Sequence, residues 1–185
     1  MGFLEKTVGF KAIQFEELSH LSVRDLALAE SLDDEGLQRL SRKLRRLCAE
    51  RLDWLDRTLA GAPDRPTLVM MHHPPFVTGI DYMDKFGLEN TAGLAAVIAR
   101  HPQVERILCG HLHRPIDRRF AGTVAGTAPS TAHQIGLDLV PAAPLHFMFE
   151  PPGYQLHLWR EDSGLVTHTA VLGDWPGSSP FRVRE

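Results

Sequence analysis

Two histidines stand one residue apart in the segment ILCGHLHRP, where His111 and His113 follow an apolar run and lie between Gly110 and Pro115. Side chains at i and i+2 share a face only on an extended strand, and the flanking glycine and proline indicate that the chain is leaving a strand here. On a tight loop the two rings can diverge toward two nearby points. Because imidazole is a frequent ligand of divalent transition metals, the spacing predicts a metal-binding loop, with a plain surface turn as the alternative.

A second histidine pair lies in MMHHPPF, where His72 and His73 directly follow another apolar run. Pro74 and Pro75 restrict the backbone that follows, which lowers the entropy cost of holding a ligand still. Taken alone, this pair is equally consistent with two histidines that only cap exposed carbonyls at the end of a strand. The two motifs together, each behind a strand-like run, favour metal binding over two unrelated histidine turns.

The apolar runs before both motifs predict two buried strands, at Thr67–Met71 and Val104–Cys109. A helix is predicted between them, from about Asn90 to Arg100. Strand, helix and strand form a βαβ unit that carries both histidine motifs at the carboxyl ends of its strands, where α/β sheets bind ligands. After His113, short strand-like runs separated by PPG and EDSG turns predict antiparallel β-structure.

A leucine stripe precedes the first of these strands. Ser31 and Asp34 resemble the start of a capping box, and Gly61 followed by Pro63 is typical of a helix end. The sequence therefore predicts an amphipathic helix over residues 31–60 that turns one face toward a core. The stripe consists of Leu37, Leu40, Leu44, Leu47, Leu52, Leu55 and Leu59.

Composition limits the classes of partner. The chain has 185 residues, 43% of them hydrophobic and 23% charged, with a formal net charge of −3, so no general attraction to nucleic acid or to an anionic membrane is expected. No run approaches the roughly 20 apolar residues of a membrane helix. Two distant cysteines, Cys48 and Cys109, and no signal-peptide pattern at the N-terminus favour a cytoplasmic protein.

HHPPF, followed about forty residues later by ILCGHLH, resembles the C-terminal half of the calcineurin-like metallophosphoesterases, most closely the class III cyclic-nucleotide and glycerophosphodiester phosphodiesterases. TGIDYMD, GTAPSTAHQ and EPPGYQLHLWR extend the likeness over roughly residues 51–181. The resemblance implies an α/β fold: part of an α/β/β/α sandwich over residues 51–181. Before it, residues 1–50 form a poorly matched segment with the amphipathic helix.

The same resemblance implies roles for individual residues. His72 and His111 would bind one divalent ion and His113 a second, in a dinuclear centre of Fe, Mn, Zn or Co. His73 falls outside the family's ligand pattern; it either packs or hydrogen-bonds within the loop, or acts as a catalytic donor to the phosphate or the leaving oxygen. Further candidates for the border of the substrate pocket, against ordinary turn or core roles, are Asp84, Asn90, Ser130 and His133.

The family pattern also has an Asp-x-His, a Gly-Asp-x-x-Asp and a Gly-Asn-His before the histidines, and none of these occurs before His72 here. The single Gly-Asp is Gly173–Asp174, on the wrong side of GHLH. Without a bridging carboxylate, nothing would keep two dications about 4 Å apart. Three explanations compete: a truncated form of a longer enzyme, a natural degenerate relative, or ligands supplied by a partner chain. The missing segment would also leave part of a sheet face or edge open, and the predicted helix over residues 31–60 or a second copy of the chain would cover it.

These observations lead to three functional hypotheses. The first is a metal-dependent phosphodiesterase that hydrolyses small phosphodiesters such as cyclic nucleotides or glycerophosphodiesters. The second is an inactive remnant that acts as a binding or oligomerisation module. The third is a mononuclear zinc hydrolase, because His72, His111 and His113 with one water would complete a zinc site without any carboxylate.

Overall fold

The main sheet has five strands in the order β1-β2-β3-β5-β4. The computed structural model describes residues 11–14, 35 and 45–174. Strands β1, β2, β3 and β5 run parallel, and β4 pairs antiparallel with β5 at one edge. The strands are β1 (Lys11–Gln14), β2 (Thr67–Met71), β3 (Val104–Cys109), β4 (Ile116–Phe120) and β5 (Thr123–Thr127).

Three helices are described, α1 (Ala49–Ala60), α2 (Asp81–Asp84) and α3 (Thr91–Ile98). Helix α3 connects the parallel neighbours β2 and β3, so the predicted βαβ unit is confirmed. The predicted strands at β2 and β3 are confirmed with the same bounds. The chain is therefore of the mixed α/β class, as its sequence predicts.

Helices α1 and α3 cover one face of the main sheet. Leu55 and Leu59 of α1 are at most 1% exposed and belong to the same apolar cluster as Val69 of β2, Leu94 of α3 and Ile107 of β3. This single cluster contains residues from both helices and from the two strands that end at the histidine motifs. Packing of the leucine stripe therefore fixes the position of those strands.

The Asp56 carboxylate adds a polar link between α1 and the end of α3. It lies 2.7 Å from His101 Nε2 and 2.9 Å from Arg100 Nη2. The hydrogen bond with His101, then that with Arg100, holds the pKa of Asp56 below its ordinary value. This stabilising contribution is present at neutral pH and is lost as the pH falls through that lowered pKa.

A two-stranded hairpin, β8 (Gly153–Arg160) and β9 (Gly164–Val171), contacts the main sheet through its polar side chains. Gln155 Nε2 donates to the Thr127 carbonyl at 3.3 Å, and Trp159 Nε1 donates to Glu105 Oε1 at 3.2 Å. The other hairpin face is apolar and exposed; we call it the outer hairpin face, with Tyr154, Leu156, Leu158 and Val166. A smaller antiparallel pair, β6 (Gln134–Ile135) and β7 (Phe147–Met148), comes between β5 and β8 in the chain.

The prediction of one continuous helix over residues 31–60 is wrong at Arg46–Cys48. Arg46 forms a β-bridge with Glu89, the Leu47 amide donates to the Glu89 carbonyl at 3.3 Å, and Cys48 has extended backbone. Leu47 is nevertheless fully buried, so at Leu47, Leu55 and Leu59 the stripe correctly indicates burial, but it does not predict the break in the helix. Leu37, Leu40 and Leu44 lie outside the described residues. The proposed start at Ser31 and Asp34 lies outside the described residues.

The β4–β5 hairpin was not predicted from the sequence. Its segments, IDRRF and TVAGT, contain two adjacent arginines and small residues, which resemble turn composition. Pairing with β3 places Ala125 and Thr127 in the buried interior.

Among the described residues, no helix has the length and apolar character to cross a membrane.

Shortening a core leucine tests the packing of α1. We expect Leu55→Ala to lower the free energy of unfolding by about 2–5 kcal/mol, because a fully buried side chain leaves a cavity. Asp53→Ala, on the exposed side of the same helix, is the matched control and should change stability by less than about 0.5 kcal/mol. Urea denaturation measures both, and an equal effect of the two substitutions would contradict this packing.

Candidate metal centre

The two histidine motifs meet at the carboxyl ends of β2 and β3. These strands are parallel neighbours in which Met71 pairs with Cys109, so the residues that follow each strand are brought side by side. The Gly110 amide donates to the His72 carbonyl at 3.0 Å and thereby joins the two loops. Residues nearly forty positions apart in the sequence thus share one edge of the sheet.

Both histidines of GHLH have a left-handed backbone, with φ of 69° at His111 and 52° at His113. Residues other than glycine rarely adopt this conformation, and each such residue costs about 1–3 kcal/mol that the surroundings must offset. Leu112 lies between them and is 1% exposed, packed in a second apolar cluster with Ile80, Met83 and Ile135. The buried leucine anchors a loop whose two neighbouring residues present imidazoles.

His72, His73 and His111 form one group of rings. One ring nitrogen from each lies within 4.8 Å of the others, and the ring centroids are 4.8 Å (His72–His73), 5.1 Å (His72–His111) and 4.3 Å (His73–His111) apart. The Nε2 atom of His111 is buried and has no hydrogen-bond partner in the described part of the chain. We refer to these three residues as the histidine cluster.

Burial lowers the pKa of His111 to about 3 from an ordinary value of 6.5, and the positive charges of His73, His72, His113 and Arg45 add to this shift. His111 is therefore neutral at physiological pH, which is the form that binds metal ions. Below pH 6.5 an unfolded chain protonates this ring and the folded chain does not. Proton uptake by the unfolded chain therefore lowers the free energy of unfolding as the pH decreases from 6.5 toward about 3.

The donor set of the histidine cluster fits one divalent transition metal. Three imidazole nitrogens are the protein ligands of many mononuclear zinc sites, and a buried nitrogen without a partner is a suitable ligand. Among the described residues, the group contains no carboxylate that could bridge two dications. The cluster therefore provides ligands for one ion.

His113 lies apart from the histidine cluster. Its ring packs against His133 with centroids 4.9 Å apart, and its Nδ1 atom is buried without a hydrogen-bond partner among the described residues. The role that the family resemblance implies for His113, a ligand of a second ion, stays a prediction. The structure instead groups His73 with His72 and His111, a neighbour that the family pattern does not count among the ligands.

Asp84 and Asn90, two of the candidate pocket residues, hold loop structure. Asp84 accepts hydrogen bonds from the Thr78 amide (2.9 Å), the Thr78 hydroxyl (2.9 Å) and the Gly79 amide (2.8 Å), and it borders a cavity of about 750 Å³ beside Pro74 and Pro75. Asn90 caps α3, accepting from the Gly93 amide at 3.3 Å, and donates to the Leu47 carbonyl at 2.9 Å.

The other two candidates lie on the segment that follows β5. The Ser130 carbonyl accepts from Gln134 Nε2 at 2.8 Å and from the Gly153 amide at 2.9 Å, so its backbone ties this loop to the β8–β9 hairpin. His133 contacts both His113 and Phe147 through its ring. Of the four pocket candidates, His133 is the one in ring contact with a histidine of the motifs.

Sequence reasoning missed Arg114, which fixes the segment behind the loop. Its Nη1 donates to the Ile135 carbonyl at 2.7 Å and to Glu150 Oε2 at 2.6 Å. These contacts connect the residue after His113 to β6 and to the end of β7. A basic residue directly after H-x-H is visible in the sequence, but it suggests binding of an anionic ligand. An internal ion pair with a glutamate 36 positions along the chain is not visible in a local motif.

Curated phosphodiesterases are similar to this chain in sequence. It is 37% identical over 175 residues to a probable glycerophosphodiester phosphodiesterase of Arcobacter nitrofigilis, which it matches with 90% of its own length and 62% of that protein's. It is 42% identical over 123 residues to a probable cyclic nucleotide phosphodiesterase of Rhodopseudomonas palustris, with 66% of this chain and 44% of that protein covered. It is 41% identical over 83 residues to the cyclic adenosine monophosphate phosphodiesterase of Escherichia coli K12, with 45% and 30% covered.

The chain thus spans less than two thirds of the length of each of these relatives. The match to the Arcobacter protein extends into the first fifty residues, because it leaves only a tenth of this chain uncovered. No family model matches the chain. A dimetal phosphatase from Danio rerio aligns with 82% of this chain and 52% of its own length, at 17% identity and a TM-score of 0.41. The resemblance to phosphodiesterases of the calcineurin-like type is confirmed by the sequence relatives.

Replacing single histidines should distinguish the two possible ligand sets. From the geometry we expect His72→Ala, His73→Ala and His111→Ala each to weaken Co²⁺ binding at least about tenfold, because each removes one of three ligands. His113→Ala should change the affinity by less than about threefold. Titration monitored by the visible absorption of Co²⁺ measures this, and loss of binding in His113→Ala but not in His73→Ala would instead support the family pattern.

Leu112→Ala tests the anchor of the loop. Removing this buried side chain should lower the free energy of unfolding by about 2–5 kcal/mol and also weaken Co²⁺ binding, because the left-handed backbone on either side loses its support. Leu145→Ala, whose side chain is exposed, is the control. Unchanged metal affinity in a folded Leu112→Ala variant would contradict the anchoring role.

Proposed function

We propose that this chain, a relative of the calcineurin-like phosphodiesterases, carries the histidine-bearing part of a metal-dependent phosphodiesterase site that acts on small phosphodiesters such as cyclic nucleotides or glycerophosphodiesters. The observation that carries the proposal is the histidine cluster, with its neutral and unpartnered His111 at the carboxyl edge of a parallel sheet. The names of the sequence relatives supply the reaction class.

Divalent ions of the kind expected from the family (Fe, Mn, Zn or Co) would polarise the phosphate oxygens and lower the pKa of a bound water. His72 and His111 would hold one such ion. His73, in ring contact with both, would either complete that ligand set or donate a hydrogen bond to the phosphate or to the leaving oxygen. The family resemblance would assign His113 to a second ion of a dinuclear centre, and the Co²⁺ titration of His113→Ala tests that role.

Two observations favour a second function, a non-catalytic binding or oligomerisation module. Within the described residues, the histidine cluster includes no carboxylate, and the outer hairpin face leaves large apolar side chains such as Leu156 exposed. A histidine site without a carboxylate and an open apolar face fit association with a partner or a second copy better than they fit turnover.

Hydrolysis of bis(p-nitrophenyl) phosphate by the purified chain distinguishes these two functions. With Mn²⁺ present, the enzyme proposal predicts turnover that stops when the metal is chelated and falls at least about tenfold in His111→Ala, because that variant loses a buried ligand. His168→Ala, which removes an exposed histidine from the outer hairpin face, is the matched control and should keep full activity.

Absence of turnover together with weak binding of about one metal ion would contradict the enzyme proposal and support the module. Turnover that is equal in His111→Ala and in the unchanged chain would contradict the role of the histidine cluster.

A further inference from the structure

Four aromatic rings follow one another from the GHLH loop toward solvent. The ring centroids of His113 and His133 are 4.9 Å apart, those of His133 and Phe147 5.4 Å, and those of Phe147 and Phe149 5.6 Å. All three spacings lie in the range of favourable aromatic contacts. We call this row of residues the ring ladder.

The outer end of the ring ladder is open. Phe147 is 61% exposed and Phe149 is 85% exposed, although large aromatic side chains usually bury most of their surface in a fold. Phe147 begins β7 and Phe149 directly follows that strand, and their ring centroids lie 5.6 Å apart, so both rings are on the same side of the chain. The two rings thus offer aromatic surface beside His133, whose own ring contacts His113 of the GHLH loop.

The backbone behind these rings is held in place. Phe147 pairs with Ile135 in the small β6–β7 sheet, and the Arg114 guanidinium bonds both the Ile135 carbonyl and the Glu150 carboxylate. Arg114 directly follows His113 in the chain. Because one side chain fixes the ladder's support to the loop that carries its first ring, the distance between loop and ladder is set by the fold.

We propose that the ring ladder stacks the planar base of a nucleotide substrate, so that this site takes cyclic nucleotides in preference to glycerophosphodiesters. The inference rests on the proposed function, because the phosphate is taken to bind near the histidines. Aromatic side chains stack on bases of any sequence through their π-faces. A glycerophosphodiester has no planar group and would gain nothing from exposed phenylalanines.

A second copy of the chain is the competing occupant of these rings. The exposed apolar side chains Leu137, Leu139 and Leu145 lie on the same 134–149 segment and could extend a contact between copies. The ladder itself favours a base, because it begins at His113 and presents ring faces and edges rather than one continuous aliphatic surface.

Equilibrium binding tests the proposal without requiring turnover. Calorimetry with the full chain would compare cyclic AMP with the same cyclic ribose phosphate lacking the base, both with and without Mn²⁺. We expect cyclic AMP to bind about 5- to 150-fold more tightly, and this preference to disappear in the Phe147→Ala/Phe149→Ala double variant. Phe147→Trp should preserve it, and Phe86→Ala, which removes an exposed ring that contacts Tyr82 outside the ladder, should leave it unchanged.

Equal binding of the two ligands, or binding of neither, would overturn the assignment. Loss of a concentration-dependent dimer in the double variant, measured by sedimentation, would also overturn it and would assign the rings to a second copy. Co²⁺ titration of the same samples separates this result from failure of the proposed function. Metal binding without base preference contradicts only the ring ladder, whereas base preference without metal binding contradicts only the phosphodiesterase site.

Discussion

The constraint on which the site depends is the left-handed backbone on both sides of Leu112. A residue other than glycine adopts this conformation at a cost, and here two successive histidines adopt it around one buried leucine. The Gly110 amide bound to the His72 carbonyl ties that loop to the neighbouring strand end. Strain at His111 and His113 is tolerated because Leu112 is packed, and His111 thereby meets His72 and His73.

The sequence predicts the parts of the fold that repeat a simple pattern. Apolar runs of five and six residues before the histidines correspond to β2 and β3, and the leucine stripe correctly indicates buried residues such as Leu47 and Leu55. Interaction with a distant segment is not visible in such patterns. The Glu89 backbone interrupts the helix at Arg46–Cys48, and pairing with β3 makes a strand of TVAGT.

For the candidate site, the sequence likewise predicts the residue types but not their tertiary surroundings. Residue types and spacing indicated His72, His111 and His113 as metal-binding candidates, and the sheet topology brings two of them together. The distinct surroundings of His113 depend on His133 and on the Arg114–Glu150 ion pair, contacts across 20 and 36 positions that no local motif encodes. The electrostatic state of His111 follows from burial and from its neighbours, which are also tertiary properties.

X-ray absorption at the metal edge of the Zn²⁺-loaded chain tests the central claim most directly, because it counts the ligands of a bound ion. The histidine cluster predicts one ion with three imidazole nitrogens at about 2.0–2.1 Å. A spectrum with fewer than two imidazoles around the ion would contradict the account of a metal site built from His72, His73 and His111.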